Sequence, residues 1–218
     1  MQITIREPGS ALTHFIGMLL AAAATLPLVL KTAMTSNIDY VTAMTIFALS
    51  MVLLYGASTL YHSVNLKGKY LEFFKKMDHM MIFVLIAGSY TPICMIALGG
   101  TLGYKLLLLI WGIAFVGMLI KALWINCPKW FSSIIYIAMG WVCVAVFGKL
   151  TSVLSTLSFS FLLAGGIVYT IGGVIYAIKI PALDDKKKFF GTHEIFHLFV
   201  MGGSICHFIC MYNITPLP

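Results

Sequence analysis

The chain has 218 residues, of which 61% are hydrophobic and only 10% charged, with a net charge of +7 and a mean hydropathy of +0.99. A soluble domain of this length carries about 45–50% apolar and about 25% charged residues, and it cannot bury such a surplus in one core. The composition places the chain in a membrane and excludes a cytosolic enzyme, a nucleic-acid-binding domain and a disordered polymer.

A spanning helix takes about 20 apolar residues, so seven would take about 140 and leave about 78 for short loops and tails. Seven apolar stretches can be marked, from Ala11 to Leu30, Val41 to Val64, Met77 to Leu98, Leu102 to Trp124, Phe131 to Gly148, Phe159 to Ile178 and Thr192 to Tyr212. Turn and charge signals separate them: Thr35-Ser36-Asn37, Asn65 to Lys76, Gly99-Gly100, Asn126-Cys127-Pro128, Thr151 to Ser158 and Pro181 to Gly191. The pattern predicts an all-α membrane protein, a seven-transmembrane helix bundle forming one domain over residues 1–218. The first stretch has signal-peptide features, with Arg6 ahead of it and Ala21 to Ala24 inside it. The apolar run continues through Leu26 to Leu30, and Glu7 and His14 are unusual in a signal, so a retained helix is expected.

Loop lysines and arginines set the expected orientation. Arg6, Lys67, Lys69, Lys75, Lys76, Lys121, Lys129, Lys179, Lys186, Lys187 and Lys188 fall on the N-terminal side, against Lys31, Lys105 and Lys149 on the other. Eleven against three predicts a cytoplasmic N-terminus, an external C-terminus and residence in the cell membrane. Tyr40, Tyr61, Tyr104, Trp124, Trp130 and Tyr212 fall near span ends, where amphipathic rings prefer the interface. The glycine pairs Gly165-Gly166, Gly172-Gly173 and Gly202-Gly203 read as close helix packing, with Gly166 and Gly173 two turns apart on one face. The five cysteines form no CxxC pair, and Cys206 and Cys210 read as small packing residues.

Ionisable side chains inside spans are expensive and are functional candidates by default. They are His14, His62, Asp78, His79, His193, Glu194, His197 and His207, and all but His207 fall at the ends assigned to the cytoplasmic side. His193 and His197 are four residues apart, on one helix face at the spacing two imidazoles need to share a metal. Ser58 and His62 repeat that spacing in the second stretch. A third imidazole from another helix would complete a three-histidine site with an open fourth position, the catalytic pattern of zinc, and Asp78 lies at the same level. His79 and His207 read as structural, and His14 as an outer contact with Glu7 and Ser10. His193 to His197 also spells H-E-x-x-H, the metalloprotease signature, but its nearest acidic third ligands, Asp184 and Asp185, lie in a lysine-rich loop.

These residues together resemble the hemolysin III branch of the progestin and adipoQ receptor (PAQR) superfamily, relatives of the adiponectin receptors. The resemblance covers essentially the whole chain. It rests on Glu7-x-x-Ser10-x-x-x-His14, Ser58-Thr59-Leu60-Tyr61-His62, Met77-Asp78-His79 with Ala87-Gly88-Ser89-Tyr90-Thr91-Pro92, Ala138-Met139-Gly140-Trp141, and His193-x-x-x-His197 leading into Gly202-Gly203-Ser204-Ile205-Cys206-His207. The resemblance implies seven helices with the N-terminus inside and a Zn2+ ion on His62, His193 and His197, with Asp78 beside it. Ser10 departs from the asparagine common at that position, and the second residue of HxxxH varies in the family, so Glu194 need not be catalytic. Similarity to alkaline ceramidases implies a zinc-dependent hydrolase of a membrane lipid amide or ester, with Asp78 and Ser58 catalytic and Glu7, Ser10 and His14 supporting. The alternatives are a membrane-lytic or pore-forming protein with structural zinc, and a ligand-responsive receptor.

Overall fold

A computed structural model describes residues 5–178 and 190–214. Lys179, Lys186, Lys187, Lys188, Asp184 and Asp185 lie outside the described residues. Seven helices are long and apolar enough to cross a membrane: α1 (Pro8–Ala33), α2 (Ile38–Ser63), α3 (Gly68–Leu98), α4 (Gly100–Leu123), α5 (Lys129–Val153), α6 (Thr156–Ile178) and α7 (Thr192–Tyr212). No strand occurs among the described residues. Leu20, Leu30, Leu53, Leu108 and Phe115 point outward, which is the expected surface for a helix bundle solvated by lipid.

Packing runs α7–α1–α2–α3 along one side and α3–α5–α6–α7 along the other, so six helices close a ring while α4 lies against α3. The α6–α7 pair is brought close by glycines. A methyl group added at Gly172 would lie 2.7 Å from Phe199 Cβ, and one at Gly203 would lie 2.7 Å from Tyr169 Cγ. Gly165 meets the His207 ring in the same way. The expected Gly166 and Gly173 face instead meets α5, against Trp141 and Ile137, with more room.

Two spans depart from α-helical geometry where they border the interior. In α3 the helix turns to π geometry over Ile93–Leu98, just after Pro92. Proline has no N–H, and here the helix widens instead of breaking. Gly99 and Gly100 then end the span with φ of 59° and 52°, left-handed values that a residue with a Cβ adopts at a cost. In α5 the helix tightens to 3-10 geometry over Trp141–Val146. Backbone groups released at such a junction have no water to turn to. The Tyr90 hydroxyl supplies the partner, donating to Gly140 O at 2.7 Å and accepting from Cys143 N at 2.9 Å.

Several boundaries differ from hydropathy. Helix α3 starts at Gly68, not Met77, because an interfacial turn holding the Glu72–Lys76 ion pair (2.8 Å) continues it beyond the apolar band. Helix α5 begins at Lys129 and continues to Val153. The Ser/Thr-rich stretch expected as a loop joins the helices, since Thr151 and Ser152 hydroxyls bond back to Gly148 O and Lys149 O. Ser155 accepts from Ser158 N at the start of α6. Helix α7 begins and ends where the apolar stretch does.

Candidate metal centre

Two helices deliver the three imidazoles. His62 comes from the last turn of α2, while His193 and His197 come from the first two turns of α7. One ligand nitrogen from each of the three lies within 4.8 Å of the others. His62 Nε2 and His193 Nε2 are 3.2 Å apart. Two nitrogens bound at about 2.0–2.1 Å to a tetrahedral zinc would be separated by about 3.3–3.4 Å, so the pair is set at the spacing such an ion needs.

The hydrogen bonds on the outer edges of the rings decide which nitrogens face inward. His62 Nδ1 lies 2.5 Å from Glu7 Oε2, and Glu7 is also held by Arg6 (3.1 Å) and by its own N–H to His62 O (3.0 Å). Arg6 stacks on the Tyr61 ring at 4.1 Å. The bond to His62, reinforced by Arg6 and opposed by partial burial, holds the Glu7 carboxyl down at about 2. It is therefore a standing acceptor for a proton on His62 Nδ1, and it leaves Nε2 as the nitrogen that faces His193. His197 Nδ1 lies 3.0 Å from Thr13 Oγ1. That hydroxyl donates to Gly9 O or Ser10 O, so it accepts from His197 and again turns the Nε2 lone pair inward. Imidazoles anchored on their outer nitrogens in this way are characteristic of metal ligands. The donor set fits a divalent ion that accepts imidazole.

The other sequence candidates fall around this cluster. Asp78 is buried in α3, lines the same cavity as His193 and His197, and lies within coulombic reach of His62. Its Oδ2 is 3.3 Å from His79 Nδ1, which also bonds Lys75 O at 2.9 Å. Ser58 Oγ is buried beside Asp78 but makes no hydrogen bond of normal geometry. His14 stacks on His197 with ring centroids 3.5 Å apart and meets Tyr55 edge-on at 5.1 Å. Its ring nitrogens hydrogen-bond neither Glu7 nor Ser10. Ser10 instead donates to Glu194, whose other oxygen accepts from Gly191 N at 2.8 Å. Glu194 is thus occupied in starting α7. His207 is distant from the cluster, edge-on to Tyr169 at 5.2 Å, and packs as expected.

Thr13 was not a candidate from sequence, because it neighbours His197 only through the docking of α1 on α7. The same holds for the chain of hydroxyls from Tyr55 through Ser204 (2.6 Å) to Tyr169 (2.8 Å). Tyr169 lines an interior cavity of about 150 Å3 that runs from Asp78 and His193 to Phe147, Phe159 and His207. Its walls are mostly apolar.

If the outer bonds orient the ligands, Glu7→Gln should lower metal affinity by about 10–100-fold, the usual effect of removing such a support. Competition with a chelator in detergent measures this. An affinity equal to wild type would remove Glu7 from the site, and His62→Ala should lose the metal altogether.

Comparison with known proteins agrees with this architecture. The haemolysin-III-related family signature matches residues 2–208. Hemolysin-3 of Bacillus cereus is 38% identical over 216 residues, covering 99% of this chain and 94% of that protein. The Hemolysin-3 homolog of Bacillus subtilis (strain 168) is 38% identical over 209 residues, covering 95% and 94%. The human monocyte to macrophage differentiation factor is 28% identical over 172 residues, covering 77% of this chain and 68% of that protein. With seven spans and a match over nearly its full length, the chain belongs to the haemolysin-III-related family, in the PAQR superfamily, as a multi-pass protein of the cell membrane.

Proposed function

We propose that the chain is a zinc-dependent hydrolase acting on an amide or ester of a membrane lipid. One observation carries this reading: the imidazoles of His62, His193 and His197 stand together, and Asp78, His193 and His197 line one apolar cavity. Zinc held there would supply a Lewis acid for the carbonyl and lower the pKa of a coordinated nucleophile. The chain's own residues would do the rest. The apolar walls would take the acyl chain and exclude bulk water. Asp78 would accept the proton of the attacking water and return it to the leaving group. Ser58, with its hydroxyl unused, would donate to Asp78 or to the substrate carbonyl.

The name of the Bacillus cereus relative favours a second reading, membrane lysis with zinc in a structural role. The two readings part at Asp78. In a hydrolase, Asp78→Asn should keep zinc near one per chain, because the three histidines remain, while lipid-amide turnover falls by about 10²–10⁴-fold. Paired measurement of zinc and turnover in detergent decides it. Wild-type protein with zinc bound but no turnover across ceramides and related lipids would overturn the hydrolase.

The lysine and arginine distribution supports a cytoplasmic N-terminus, with the histidine cluster near the cytoplasmic face. A reporter fused at the C-terminus should then read out on the external side, and a cytoplasmic signal would reverse the orientation.

A further inference from the structure

Helix α3 is the longest of the seven spans, 31 residues where the others have 21 to 26. At 1.5 Å per residue it runs about 45 Å, against about 30 Å for the hydrocarbon layer of a bilayer. Its apolar stretch begins only at Met77, so residues 68–76 carry the helix about 13 Å past that layer. The headgroup layer on one side is about 5–8 Å thick, and the projecting segment crosses it completely. It does so at the end of the bundle that carries Asp78 and the histidine cluster.

The side chains of this segment are not those of a helix meeting only water. Tyr70 is 62% exposed and Phe73 57% exposed, and Phe74 meets Phe73 edge-on at 5.5 Å. Phe73, Met77, Met80 and Val84 recur at i, i+4, i+7 and i+11, so Phe73 prolongs a face that α3 leaves partly open along the span. Lysines flank the rings. Lys69 is exposed, with Nζ 5.3 Å over the Tyr70 ring, and Lys76 pairs with Glu72 at 2.8 Å. Residues 64–77 hold four lysines, Lys67, Lys69, Lys75 and Lys76, against the single acid Glu72, a net of +3. Exposed apolar groups rimmed by charge mark an interaction surface, and aromatic rings beside lysines suit the membrane–water interface.

We propose that the outward face of this segment, formed by Lys69, Tyr70, Phe73 and Lys76 with Lys67 at its start, docks anionic phospholipid headgroups. The rings lie among the glycerol and upper acyl groups, and the ammonium groups reach the phosphates. A zwitterionic phospholipid offers the same phosphate but brings its own cation, so a surface of net +3 selects the lipid that is negative overall. Lys75 is turned aside, donating to Asn126 Oδ1 at 2.9 Å, and adds only its field. The inference does not rest on hydrolysis or on a bound metal.

The test uses the full chain in nanodiscs of phosphatidylcholine containing a photoreactive phosphatidylglycerol, with the label located by peptide mapping. Wild type should be labelled within residues 64–77, and unlabelled phosphatidylglycerol should compete for that label at least about fivefold better than added phosphatidylcholine. A lysine close to an anionic surface is worth about fivefold. Lys67→Gln combined with Lys69→Gln should therefore weaken the apparent affinity at this segment by about fivefold to twentyfold. Tyr70→Ser combined with Phe73→Ser should weaken it as well, by removing the apolar part of the surface. All four side chains are exposed, so both variants should fold. Label absent from residues 64–77, or equal competition by the two lipids, would overturn the proposal. So would a folded double-lysine variant that is labelled as wild type is.

Discussion

Inside the hydrocarbon layer no water completes the hydrogen bonds of a polar group, so each one must find its partner within the protein. That constraint is visible at every departure from regular helix. Tyr90 covers the carbonyl and N–H released where α5 tightens, and Thr91, whose hydroxyl bonds back to Ala87 O (2.9 Å), accepts from Trp111 (3.2 Å). In the interior the hydroxyls of Tyr55 and Tyr169 both find their partner in Ser204 Oγ. Against that background, the inward Nε2 atoms of His62 and His197 stand out. Their outer nitrogens are anchored while their inner nitrogens converge with those of His193, an arrangement that could hold a metal ion.

The ring of six helices gives this cluster its setting. Helix α1 supplies no ligand, yet Glu7 and Thr13 fix the two imidazoles from its first turns, and His14 stacks on one of them. Helix α2 supplies His62, α7 supplies the other two histidines, and α3 brings Asp78. The cavity behind them is lined in part by the segments that depart from α-helical geometry, through Ile93 of α3 and Trp141 and Cys143 of α5. A polar end and an apolar body in one enclosed space is the physical form a site for a lipid would take.

Much of this was legible in the sequence for identifiable reasons. The i,i+4 spacing of His193 and His197 and the rarity of charge in spans point directly at the cluster and at Asp78. Hydropathy finds all seven spans, and it places α7 from Thr192 to Tyr212 because sharp polar boundaries flank it. It misplaces the start of α3, since the interfacial turn from Gly68 is held by the Glu72–Lys76 pair and not by apolar residues. Glu7 and His14 were named through the family resemblance, but the hydrogen-bond partner of His197 was beyond reach. Thr13 and His197 are 184 positions apart, and nothing local marks a threonine as an imidazole anchor. The choice of Gly165 and Gly172, rather than Gly166 and Gly173, for the α7 contact depends on a helix rotation that periodicity does not resolve.

The central claim is that His62, His193 and His197 hold one zinc ion. Crystals of protein purified without chelators, measured on both sides of the zinc absorption edge, test it directly. The account predicts a single anomalous peak about 2.0–2.1 Å from one nitrogen of each of the three imidazoles. No peak at the cluster, or a peak at another place in the bundle, would contradict it.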